Sequence, residues 1–131
     1  MIRAELLLED VRTKEELRRS LANAFGVRIE EVYVVDDVVD LPSFGAASIL
    51  CEQQIRSGQF GWHLTVYSQD SQAWPSECEV AKSLSQSLKT RCLISDEAIN
   101  PFTMILVTGA GNQSVNLDVD KLGRLDEYWL E

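Results

Sequence analysis

Histidine is nearly missing from this chain of 131 residues: one occurs, at position 63. Any acid–base chemistry that needs an imidazole must therefore use His63. Cysteine is scarce as well. Cys51, Cys78 and Cys92 are odd in number and widely spaced, which argues against a disulfide framework and against the close pairs of a zinc site. Buried, reduced thiols in a cytoplasmic protein are the expected reading. No window approaches the roughly 20 apolar residues of a membrane-crossing helix. The opening Met1-Ile2-Arg3-Ala4-Glu5 lacks the layout of a signal peptide. There is no internal repeat, low-complexity tract or linker. Positive charge is also in the minority, with 12 Lys and Arg against 21 Asp and Glu, for a net charge of −9. The deficit is uneven. Residues 1–28 hold six basic and five acidic side chains, whereas residues 29–131 hold six and sixteen, a balance of −10. Such a surface repels phosphate backbones, whose affinity comes from Lys and Arg displacing counterions, and it suits a basic protein partner.

What is present describes a folded chain. A hydrophobic fraction of 45% with 25% charged residues is ordinary for a globular protein, and the length fits one domain spanning residues 1–131. The stretch from Ala46 to Ser68 organises the rest. It reads as two strands, 47–55 and 60–67, closed by a turn at Ser57-Gly58. Ala47, Ile49 and Cys51 alternate on one face, continued by Trp62, Leu64 and Val66, the period-two pattern of a half-buried antiparallel pair.

Residues 2–36 read as strand, helix, strand. Thr13 and Glu16 have the spacing of a capping box, Leu17, Leu21, Ala24 and Phe25 form an apolar stripe, and Gly26 ends the helix. Val32-Tyr33-Val34-Val35 follows as a strand. Ser76 and Glu79 repeat the capping-box spacing ahead of Val80, Ala81, Leu84 and Leu88. Further strands are expected at 91–94, 103–108 and 114–120, with a last amphipathic helix over 121–130. The expected fold class is α+β: a single, mostly antiparallel (mixed) sheet with two main helices on one face. This is a ferredoxin-like arrangement with additional strands and a short C-terminal helix.

Two motifs lose their meaning in context. Gly109-Ala110-Gly111 resembles the start of a dinucleotide-binding turn, but the residues after it alternate like a strand, so a glycine-rich hairpin turn fits better. Asp36-Asp37-Val38-Val39-Asp40 has the spacing of a magnesium-binding DDxxD run. It leaves a strand and heads into Leu41-Pro42 rather than a long helix, so a solvated acidic loop is expected. No metal or cofactor is expected.

Two functional readings remain. The first is a non-enzymatic acidic binding protein, of the inhibitor, immunity or adaptor type. It would engage a basic protein partner through Asp36, Asp37, Asp40, Phe44 and Trp74, since loop aromatics and charges serve interfaces. The second is a small-molecule-binding or catalytic domain on the outer sheet face around Glu52, His63 and Tyr67. With a two-residue turn, Glu52 would lie directly across from His63. Self-association as a homodimer is a third expectation, because an open sheet leaves surface to cover. Nucleic acid and membrane are not expected partners.

Overall fold

The computed structural model describes residues 2–36, 48–68 and 74–131. In chain order these form β1 (Ile2–Leu8), α1 (Lys14–Phe25), β2 (Val32–Val35), β3 (Ile49–Ile55), β4 (Trp62–Ser68), α2 (Glu77–Leu88), β5 (Cys92–Ser95), β6 (Thr103–Thr108), β7 (Gly111–Asn116) and α3 (Val119–Leu125). The result is a mixed α+β protein with one seven-stranded sheet in the order β2-β3-β4-β1-β5-β6-β7. Among the described residues only β2 and β3 run parallel; every other neighbouring pair is antiparallel. Among the described residues no helix is long and apolar enough to cross a membrane.

Local chemistry explains where α1 and α2 begin. Thr13 Oγ1 accepts the Glu16 amide at 3.1 Å, and Glu16 Oε1 accepts the Thr13 amide at 3.4 Å. Ser76 and Glu79 repeat this at 3.2 and 3.3 Å. Each box satisfies amides that the first helical turn leaves without an acceptor. Gly26 closes α1 in the left-handed conformation, at φ 67°, where a Cβ is unfavourable.

The buried apolar residues form two separate clusters. Ala4, Leu6 and Leu8 of β1, Cys92 and Ile94 of β5 and Val107 of β6 join Leu17 and Leu21 of α1 and Val80 and Leu84 of α2. The alternate residues Leu7, Leu93 and Leu106 join Phe60, Leu117, Leu122, Tyr128 and Leu130. Each fully buried leucine contributes about 1.5–3 kcal/mol relative to exposure. The second cluster makes the outer face less polar than its strand alternation suggests: the C-terminal residues cover part of it.

Three expectations are corrected. The β3–β4 connection is not a two-residue turn at Ser57-Gly58 but residues 56–61, closed by the Arg56 amide donating to the Gly61 carbonyl at 2.8 Å. Phe60 thus belongs to the turn, and the register pairs Glu52 with Thr65 and Gln54 with His63. A shift of two residues keeps each side chain on its face. Next, β7 begins at Gly111, directly after the turn, and ends at Asn116, because Asp118 caps α3 by accepting the Lys121 amide at 3.0 Å. Finally, α3 stops at Leu125, since Asp126 adopts φ 55°. The residues beyond it return extended: Leu130 bridges Leu117, and the Tyr128 carbonyl accepts the Phe60 amide at 3.0 Å.

Candidate functional site

Between β1 and β5 the sheet opens. Their pairing covers only Leu7 with Leu93 and Leu8 with Cys92, so the Glu5 end of β1 has no β5 neighbour. The Glu5 amide instead donates to the carboxylate of Glu77, the first residue of α2, at 3.2 Å. A cavity of about 400 Å³ lies at this opening. Its floor is built from rows across β3, β4 and β1. Glu52, Thr65 and Glu5 form one row, and Gln54, His63 and Leu7 the next. Ser95, Met104 and Tyr128 also line it.

The charges of the site are partly matched within it. Arg3 pairs with Glu5 at 2.6 Å, and Arg56 with Asp126 at 3.3 Å while donating to Gln54 Oε1 at 3.0 Å. Burial lowers the pKa of His63, the nearby Arg56 charge adds to this, and a hydrogen bond with the Phe60 backbone opposes it. At neutral pH the ring is therefore uncharged, with one nitrogen donating and the other accepting. Tyr128 meets it edge-on, with ring centroids 5.4 Å apart at 70°. Burial raises the pKa of Tyr128, and so does the charge of Asp126; its hydroxyl remains a donor. Glu77 is pushed up by desolvation, against which the Glu5 amide bond acts.

The structure brings Glu52 and His63 into one cavity, on adjacent rows rather than directly opposite. Tyr67 lies on the same side, paired with Arg3 and Leu50, but does not line the cavity; Tyr128 does. Glu77 and Tyr128 carry no sequence signal for this role, since one belongs to a helix start and the other to a segment with helical spacing. Cys51 is fully buried in the helical cluster, and desolvation raises its thiol pKa far above the ordinary value. Burial pushes Cys92 up to about 12.

Of the residues expected to meet a protein partner, Asp36 is exposed. It pairs with Lys14 at 3.2 Å and accepts from Gln53 Nε2 at 3.0 Å, bonds that lower its pKa, the Gln53 bond most. Trp74 packs edge-on against Phe25, centroids 5.5 Å apart, beside the helical cluster. Asp37, Asp40 and Phe44 lie outside the described residues. Among the described residues no group of three or more His, Cys, Asp or Glu side chains is placed to hold a metal ion. Comparison with protein-family models, with curated proteins and with solved structures finds no match.

Proposed function

We propose that this chain is a binding domain for a small polar ligand, held in the cavity between Glu52, His63 and Tyr128. The observation that supports this reading is the cavity itself. Its volume of about 400 Å³ falls in the range of small-molecule sites, and a few polar groups converge on it. Its arginines are already matched by Glu5 and Asp126, while Glu77 and a neutral imidazole offer acceptors. The ligand class is accordingly one rich in hydrogen-bond donors. Binding rather than catalysis is proposed because no cysteine lines the cavity beside His63. A thermal-shift screen of polar metabolites against the wild type and His63→Ala tests it. The expected outcome is a compound that raises the wild-type melting temperature by several degrees and leaves His63→Ala unmoved. A panel that shifts neither protein, or both equally, would sink the idea.

The charge balance of −10 over residues 29–131 favours a second reading, an acidic surface for a basic protein partner centred on Asp36, Asp37 and Asp40. A tagged pull-down at low and high salt would recover such a partner only at low salt. We further propose that the arrangement is ferredoxin-like, with both main helices on one face; the antiparallel run β3-β4-β1-β5 supports this. The free cysteines suit a reducing, cytoplasmic setting.

A further inference from the structure

Proteins usually blunt the open edge of a sheet with a charge, a proline or a bulge, because bare backbone groups there can recruit another strand. Here the sheet ends on one side at β2, where Arg18 covers the edge by donating from Nε to the Val32 carbonyl at 3.0 Å. On the other side it ends at β7, whose sequence Gly-Asn-Gln-Ser-Val-Asn holds neither charge nor proline. Asn112, Gln113, Ser114 and Asn116 are exposed.

The direction of the bare groups follows from one bond. The Glu131 amide donates to the Asn116 carbonyl at 3.0 Å, on the side away from β6. Backbone groups alternate along an antiparallel strand, so those of Ser114 and Asn112 also face outward. Gly111, Gln113 and Val115 turn theirs toward β6. Among the described residues, only the C-terminal segment reaches this outer side, and only at its Asn116 end.

We propose that a second copy of this chain pairs antiparallel along β7, on a two-fold axis at Gln113. Asn112 of each copy then exchanges both backbone bonds with Ser114 of the other. Electrostatics selects a copy as the occupant. Two molecules of net charge −9 repel over most of their surface and meet most easily along an uncharged strand, whereas a basic partner finds no carboxylate on β7 to pair with. A two-fold axis makes any strand complementary to itself. The register is constrained too, because an axis at Ser114 would set Asn112 against Asn116, whose carbonyl Glu131 already occupies. One strand pair is a small interface, so the dimer is weak and concentration-dependent.

Light scattering coupled to size exclusion, at loading concentrations from about 1 to several hundred micromolar, reads the mass directly. The expected result is a mass that doubles across this range. Ser114→Pro deletes an outward amide while sparing the β6 ladder, and Ser114→Lys sets two ammonium groups near the axis; both should hold the protein monomeric with unchanged circular dichroism. Gln113→Cys supplies an independent readout should the proline variant misfold. Facing residues of a non-hydrogen-bonded pair approach to about 4.5 Å between Cα atoms, within disulfide reach, so mild oxidation should yield a covalent dimer that the wild type does not form. A mass that stays monomeric throughout, with no cross-link from Gln113→Cys, overturns the proposal. So does a dimer that survives Ser114→Lys.

Discussion

Gln53 is a polar side chain inside an apolar sheet, and its bonds say why it is tolerated. Its Oε1 accepts the indole N–H of the fully buried Trp62 at 2.9 Å, and its Nε2 donates to Asp36. Leucine at this position would strand the indole donor, and an unsatisfied buried donor costs about 1–3 kcal/mol. Gln53→Leu should therefore lower the unfolding free energy by that amount, read as a lower urea midpoint at unchanged slope; a midpoint equal to wild type would refute the role given to this bond. His63 makes its own prediction through pH. Its folded pKa lies below the ordinary 6.5, so the unfolded chain takes up a proton first as pH falls. The stability contribution is full above that value and is lost as pH drops through it toward the folded pKa. The lowered pKa values of Glu9, Glu31 and Asp36 act below the usual carboxylate range of about 4–4.5, and the raised Glu77 acts in the opposite sense, adding stability as pH falls. The melting temperature should thus decline as pH falls below about 6.5, and His63→Gln should flatten the decline. Equal slopes for the two proteins would assign the effect elsewhere.

At the level of elements, what the sequence makes legible depends on how local the cause is. Both capping boxes and the Gly26 stop are decided within a few residues, so spacing alone places the starts of α1 and α2 and the end of α1. The face of each strand in the central hairpin is equally local, because alternation survives any even slip of register. The register itself is not local. It hangs on Gly61, where a Cβ would fall 2.2 Å from the Arg56 carbonyl oxygen, and on Gly58, held at φ 114° against Glu127 and Tyr128. No propensity scale contains that close pass. Gly61→Ala must push the two ends of the turn apart, and a loss of more than about 2 kcal/mol is expected from strain at such a site. Chemical denaturation checks it: a loss below half of that would mean the turn simply relaxes.

Across the whole molecule the same rule divides the candidate site. Glu52 and His63 come from one hairpin, and alternation puts them on a common face. Glu77 and Tyr128 arrive from a helix start and from the returning C-terminal residues, joined to the hairpin only by tertiary bonds such as that between the Leu130 amide and Gln59 Oε1 at 2.9 Å. The central place of β1 has a consequence for synthesis. It pairs along its length with β4 and at its end with β5, so it leaves the ribosome ahead of both neighbours. While translation runs from Leu8 to Trp62, Leu6 and Leu8 have no strand to lie beside. Through that interval the nascent chain presents an apolar ribbon to any chaperone at the tunnel exit, and a stall before Ser68 leaves it there.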